Sequence, residues 1–128
     1  MQRRGWLQRR NWILSEMAEL ALRPTTALLA LAEKTSLVKE DIPEVLDLMA
    51  TWVRDVAVAR YCPDRIIHQD LKRPILEASR RSDPGFLAKA DRTIGEARRR
   101  IQANANPRLA LEALWLRLAA MAPAPSEG

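Results

Sequence analysis

The chain has 128 residues, a formal net charge of +5 and a hydrophobic fraction of 48%, which suit one domain with a true core. No segment approaches the roughly 18 to 20 apolar residues that a membrane span needs, and no apolar segment follows the basic N-terminus as in a secretory signal. Cys62 is the only cysteine, which excludes an internal disulfide and a multi-cysteine zinc site and favours a cytoplasmic setting.

Hydrophobic periodicity and the abundance of Ala and Leu predict helices throughout, with six in all. The first helix spans about 4–22 and leaves Trp12 outside its apolar face. It begins almost at residue 1 without a capping residue, so we expect the chain to be a piece of a longer protein. The second helix spans about 25–35. The apolar face of the first helix comprises Trp6, Leu7, Ile13, Leu14, Met17, Leu20 and Ala21.

The third helix spans about 42–60 and begins with a capping signature. Asp41 and Glu44 have the spacing of a capping box, with a proline between them in the first turn. Asp55 falls on the polar side with other charged residues. The predicted buried face comprises Ile42, Val45, Leu46, Met49, Trp52, Val53 and Val56.

The second half of the chain contains the longest connection and three further helices. Residues 61–72 have no sustained period and are predicted as the connection, and a short helix then follows Pro74 to about Arg81. A fifth helix runs from Ser82-Asp83-Pro84 to about residue 103. A sixth begins at Asn106-Pro107, where Asn caps and Pro takes the first helical position. The result is one all-α bundle over residues 1–121, with mostly short connections and a disordered tail at 122–128.

Residues suited to catalysis are scarce. His68 is the only histidine, and no Cys or carboxylate stands at metal-ligand spacing from it, which favours a solvated or structural role over a metal ligand or general base. No glycine-rich phosphate-binding loop is present, and the carboxylates lie mostly on polar helix faces. We therefore predict no catalytic residue, no metal and no cofactor.

Basic segments support one alternative, a small helical nucleic-acid-binding domain. Arg9 lies near Trp12 in the first helix, and a run of three arginines occupies the fifth. In that helix Glu96 has the spacing to pair with Arg92 and Arg100, which favours a solvated, partly neutralised surface. The candidate nucleic-acid contacts are Arg9, Arg98, Arg99 and Arg100.

The sixth helix has two apolar sides, which indicates either a helix enclosed within its own domain or one shared with a partner. Leu111, Leu114, Leu118 and Met121 form one side, and Leu109, Ala113, Leu116 and Ala120 form the other. Arg117 separates them on one edge, and Arg108 and Glu112 on the other, with Trp115 between those two charges. Which side points outward stays open at this stage. The candidate interface residues are Trp12, Arg108, Leu109, Ala113, Trp115, Leu116 and Ala120.

Three segments together carry a resemblance to a known family. They are "LLALAEKTS" (28–36), "LMATWVRDVAVAR" (48–60) and "IGEARRRIQANANPRLALEALWLRL" (94–118). Their order and the final Asn-Pro-Arg-Leu-Ala-Leu-Glu string resemble the C-terminal domain of the delta-prime subunit of the bacterial DNA polymerase III clamp loader. The related gamma/tau subunits are the second choice, and the Trp-Val-Arg-Asp string at 52–55 favours delta-prime.

This resemblance implies a helical collar domain from a longer AAA+ subunit, whose task is to hold the subunits of the loader ring together for DNA replication. The implied partners are clamp-loader subunits of the gamma/tau and delta types, with DNA contacted indirectly or weakly and no membrane or small-molecule substrate. The chain itself would not be an enzyme. ATP hydrolysis would belong to other subunits of the polymerase holoenzyme, which is a nucleotidyltransferase.

Overall fold

The structure, a computed structural model, describes residues 3–123, with side chains from Gly5 onward. Six α-helices make up most of this part of the chain and no β-strand occurs in it, which confirms the predicted all-α fold. Within the same residues, no helix combines the length and the apolar character needed to cross a membrane. The helices are α1 (Arg3–Ala18), α2 (Thr25–Ser36), α3 (Ile42–Ala59), α4 (Lys72–Arg81), α5 (Pro84–Gln102) and α6 (Pro107–Met121).

Helix α3 is the centre of the bundle, with α1, α4 and α5 packed against it, while α6 packs against both α2 and α5. The whole predicted apolar face of α3 is buried, as an amphipathic helix with three neighbours requires. Each fully buried Leu, Ile, Met or Val contributes about 1.5–3 kcal/mol relative to an exposed one. The largest fully buried side chains are Trp115, Ile13, Leu14, Ile42, Leu46, Met49, Ile75, Ile94, Leu111, Leu114, Leu118 and Val45.

The predicted starts of α5 and α6 are confirmed in atomic detail. The Asp83 side chain accepts a hydrogen bond from the backbone N–H of Phe86 at 2.7 Å. The Asn106 side chain accepts one from the backbone N–H of Leu109 at 3.1 Å. Each cap satisfies an N–H that the first turn leaves without an intrahelical partner.

The predicted capping box of α3 is wrong. Asp41 precedes the helix but its side chain makes no capping hydrogen bond, and a 3₁₀ turn, Lys39–Asp41, leads into α3 instead. Both carboxylates of the expected box bind Arg9 of α1: Asp41 Oδ2 lies 3.4 Å from Arg9 Nη2, and Glu44 accepts from Arg9 Nη1. A tertiary ion pair between helices has replaced the local cap, and it ties α1 to α3.

The apolar face of α1 is buried only in its second half. Trp6 and Leu7 share the predicted face but are exposed, whereas Arg10, which a surface helix would present to solvent, is buried. Trp6 is 40% and Leu7 45% exposed, so periodicity alone overestimated the buried length of α1. After α1, a 3₁₀ turn at Leu20–Leu22 completes the predicted first helical segment.

The predicted connection 61–72 contains two short 3₁₀ turns, Pro63–Arg65 and Gln69–Leu71. They lead directly into α4, which begins two residues before Pro74. At the other end α6 stops at Met121, and of the predicted tail, residues 124–128 lie outside the described part.

Candidate subunit-interaction surface

One side of α6 carries an apolar stripe that its own domain covers only in part. Leu109 is 61% exposed and Ala120 is exposed, while Ala113 and Leu116 between them are half-buried. Their spacings of four, three and four residues place them along a single line on the helix. We call these four residues the α6 ridge.

The opposite side of α6 faces the core, which answers the question that the sequence left open. Leu111, Leu114 and Leu118 are all buried, with exposures of 0%, 1% and 0%. The side that contains Leu109 is therefore the outward one. A helix whose second apolar side remains in contact with solvent matches the pattern of a surface used for association.

Charged residues border the α6 ridge on both edges. Arg108 Nε lies 3.4 Å from Glu112 Oε2 on one edge, and Arg117 Nη1 lies 3.5 Å from Glu96 Oε2 of α5 on the other. Both arginines are exposed and the pairs lie at the surface, so each adds little to stability. An apolar centre with a polar rim is the anatomy of a protein–protein interface.

Trp115 does not belong to this surface, which corrects the prediction that it contributes to a shared face. It is 0% exposed, and its indole Nε1 lies 3.5 Å from Thr35 Oγ1 of α2. The helical projection placed Trp115 between two charged residues, but α2 packs on that side of α6 and covers the ring. Its role in this structure is to fill the core between α2 and α6.

The remaining predicted interface residues lie apart from the α6 ridge or on its edge. Trp12 is half-buried on α1 and packs against the core cluster, and Arg108 is exposed at the start of α6. The structure does not bring Trp12 together with the ridge, since α1 packs chiefly on α3 whereas α6 packs on α2 and α5.

The arginines of the nucleic-acid alternative have separate surroundings. Arg9 binds Asp41 and Glu44, and the hydrogen bond to Glu44 raises the pKa of its guanidinium. In α5, Arg98 Nη2 lies 2.9 Å from Asp47 Oδ1 of α3, while Arg99 and Arg100 are exposed.

The predicted pairing of Glu96 within α5 is also wrong. Glu96 bonds to Arg117 rather than to Arg92 or Arg100 because α6 packs alongside and brings that guanidinium within reach.

Sequence reasoning missed a buried polar cluster under the connection between α3 and α4. Asp55, which was placed on the polar side of α3, is 0% exposed and accepts hydrogen bonds from the backbone N–H groups of Ile67 at 2.8 Å and His68 at 3.0 Å. The spacing in the sequence could have indicated this burial. Asp55 lies three residues after Trp52 and four before Ala59, both of which are buried, so it shares their side of the helix.

His68 completes this cluster. Its Nε2 lies 3.1 Å from Thr51 Oγ1, and its Nδ1 lies 3.4 Å from Nη1 of the buried Arg10. Burial lowers the pKa of His68 below its ordinary value, with a further lowering from Arg10 and an opposing effect from Asp55. The cluster holds the connection against α3 and α1, so the contacts of this histidine are structural ones.

The cavities of the described part offer no constellation for catalysis. A groove of about 400 Å³ between α3 and α5 is mostly apolar, and one of about 500 Å³ between α1 and α4 is more polar. Neither is lined by a histidine or a cysteine. Within residues 5–123, no three His, Cys, Asp or Glu side chains converge closely enough to hold a metal ion.

A family model described as "DNA polymerase III, delta subunit, C terminal" matches residues 4–120. No curated protein and no solved structure matches the chain significantly.

Proposed function

We propose a task for this chain, which belongs to the family of C-terminal domains of the DNA polymerase III delta subunit. Its task is to join one clamp-loader protein to its neighbours. It performs this task without catalysis of its own and without a metal or cofactor. ATP hydrolysis belongs to other subunits of the polymerase holoenzyme, in the cytoplasm.

The α6 ridge is the observation that carries this proposal. A leucine that is 61% exposed, in line with Leu116 and two alanines, places apolar surface where a domain working alone would place charge. The two alanines allow a neighbouring helix to approach closely, and Leu109 projects as an anchor beside the rim pair of Arg108 and Glu112. An interface of this kind buries roughly 800 Å² on each partner.

Within the family we propose the delta-prime type, with gamma/tau and delta-type subunits as partners. The Trp-Val-Arg-Asp string at 52–55 supports this choice by its resemblance to delta-prime sequences. In this chain, the same string supplies a buried tryptophan and the buried carboxylate of Asp55. The natural protein would then carry an AAA+ module before this domain.

The test compares two aspartate substitutions of equally exposed leucines. Leu109→Asp lies on the α6 ridge, and Leu22→Asp, at 58% exposure, lies beside the groove between α1 and α4. Each variant of the full natural subunit is mixed with its clamp-loader partners, and assembly is followed by size-exclusion chromatography and sedimentation velocity. A charge buried in an interface costs several kcal/mol, so we expect Leu109→Asp to weaken assembly at least about tenfold.

The Leu22→Asp variant should assemble as the unmodified protein does. If the two variants assemble equally well while circular dichroism shows both folded, the α6 ridge is not the shared surface. Ala120→Asp, at the other end of the ridge, provides a second substitution of an exposed residue that leaves the core intact.

A further inference from the structure

A second surface feature lies on α5, away from α6. It is a shallow groove of about 250 Å³ lined by Ala50 of α3 and by Asp91, Arg92, Ile94, Gly95, Arg98 and Arg99 of α5. We call it the α5 arginine groove. Arg100 takes no part in it, because this side chain lines a small cleft on the opposite flank of α5, against α6. The groove therefore brings Arg92 together with Arg98 and Arg99, whereas Arg100, which follows them in the sequence, lies on the other flank of the helix.

The helix geometry aligns two arginines on either side of a glycine. Arg92, Gly95 and Arg99 are separated by three and four residues, so they follow one line on α5. A Cβ atom at Gly95 would lie 3.4 Å from Arg99 Nη1, so the Arg99 guanidinium packs close to the glycine. The missing side chain at Gly95 leaves room for this cation beside the helix.

The charges of the groove are predominantly positive. Arg98 is oriented by Asp47 at 2.9 Å, and Asp91 is the one carboxylate among the lining residues. Arg92 and Arg99 form no salt bridge with any residue from Gly5 to Pro123. Arg92 and Arg99 line this groove, and their N–H donors thus remain available to a ligand.

We propose that the α5 arginine groove binds phosphate groups of a nucleic-acid backbone, with Arg92 and Arg99 donating to the phosphate oxygens. The planar fork of arginine matches two phosphate oxygens at once. Among the described residues, no aromatic side chain lines the groove, so base stacking contributes nothing and the contact is independent of base sequence. This contact does not involve the α6 ridge, and the domain could use both surfaces at once.

Charge-reversal pairs of equal net charge test the proposal on the whole chain. One variant carries Arg92→Glu and Arg99→Glu, and its control carries Arg73→Glu and Arg80→Glu, which reverse two exposed arginines of α4. Binding to a fluorescently labelled oligothymidylate is measured by anisotropy over a series of salt concentrations. We expect the groove variant to raise the Kd about tenfold or more at low salt, and to reduce the slope of log K against log salt by about 1.4 for two lost phosphate contacts.

The control pair should change the Kd by less than about threefold, which is the long-range effect of net charge alone. A third variant, Gly95→Glu, places a carboxylate in the groove at a helical position where Glu is favoured over Gly, so it should lose binding without losing the fold. Equal losses in the groove and control pairs would overturn the proposal, as would no binding by the unmodified chain at low salt. Displacement of the oligonucleotide by millimolar inorganic phosphate would assign the groove to a free anion instead and would also overturn it.

Discussion

His68 is held in one neutral tautomer by partners on both ring nitrogens. The Thr51 oxygen lies 2.9 Å from the carbonyl oxygen of Leu48, to which its hydroxyl donates, so we assign the ring proton of His68 to Nε2, which donates to Thr51 Oγ1. The other nitrogen, Nδ1, then accepts from Nη1 of Arg10 at 3.4 Å. A second proton on the ring would point at a guanidinium and remove this acceptor.

The stability of the chain should therefore depend on pH through His68. Its pKa is lowered in the folded state, chiefly by burial, so the unfolded chain binds more protons between that lowered pKa and the ordinary value of 6.5. The free energy of unfolding rises with pH in this window. The contribution of His68 is complete above about pH 6.5 and is lost as the pH falls through the folded-state pKa.

Urea unfolding between about pH 7.5 and about pH 5, compared with the variant His68→Gln, measures this effect. The glutamine keeps a donor and an acceptor but does not titrate, so its stability should fall less steeply over the same range. Asp70, whose pKa is lowered by its hydrogen bond from Arg10, loses its contribution only below its ordinary value of 3.8 and stays outside the window. Parallel pH profiles for the two proteins would contradict a lowered pKa of His68 in the folded state.

The polar cluster also shows what the sequence could not predict at the level of single residues. Arg10 and Asp70 are 60 positions apart in the chain, and the pair exists because α1 packs beside the connection that follows α3. Local spacing contains no information on such a partner. Asp55 differs, since its burial follows from the buried residues three before and four after it.

At the level of elements, the corner between α5 and α6 explains both asparagines of the Asn-Ala-Asn-Pro string. Asn104 has a φ of 67°, the left-handed conformation, and stands just after the end of α5. The backbone N–H of Asn104 bonds to the carbonyl of Ile101 at 3.1 Å, and that of Ala105 to the carbonyl of Arg100 at 2.9 Å. These two bonds form a Schellman motif, and Asn106 caps the next helix two residues later.

Alanine at either asparagine should lower the free energy of unfolding by about 1 kcal/mol, for different reasons. Asn106→Ala removes a capping acceptor. Asn104→Ala forces a residue with a Cβ into the left-handed region without the local hydrogen bonding of asparagine. Asn104→Gly separates the two effects, because glycine accepts this conformation freely and should stay within a few tenths of a kcal/mol of the unmodified chain or exceed it.

Urea denaturation of the three variants at one pH is sufficient for the comparison. An Asn104→Gly variant as unstable as Asn104→Ala would mean that the side-chain amide, rather than the backbone conformation, is what the corner requires. The helix start at Asn106 was predictable from the sequence because capping is local. The failed capping box at Asp41 was not, because Arg9 of another helix competes for both carboxylates.

At the scale of the whole molecule, α6 has one side that packs in the core and stabilises the fold and another side that lies at the surface. Its two apolar sides were visible in the sequence at 100° per residue, but their direction was not, since periodicity does not say where α2 and α5 pack. The structure places Trp115 and the Leu111 side inward and the α6 ridge outward. The same helix therefore supplies several of the largest buried side chains and also the partly exposed α6 ridge.

This division predicts opposite outcomes for two truncations on one helix. Trp115→Ala removes a fully buried ring and the donor facing Thr35, so it should cost about 3–5 kcal/mol of the free energy of unfolding. That is a large share of the roughly 5–15 kcal/mol that stabilises a domain, so the variant should unfold at a clearly lower temperature and urea concentration than the unmodified chain. Leu109→Ala, at 61% exposure, should change the same free energy by less than about 0.5 kcal/mol.

Thermal and urea unfolding of the isolated chain measure the stability of each variant without any partner. Assembly of each variant with the partner subunits is then the second measurement. Trp115→Ala should weaken assembly only as far as it unfolds the domain, so its defect should diminish at low temperature or in stabilising osmolyte. A Leu109 variant should keep its assembly defect under those conditions, because its fold is intact from the start. If the loss of assembly followed the loss of stability equally at both positions, α6 would act only through the core and the ridge would have no role of its own.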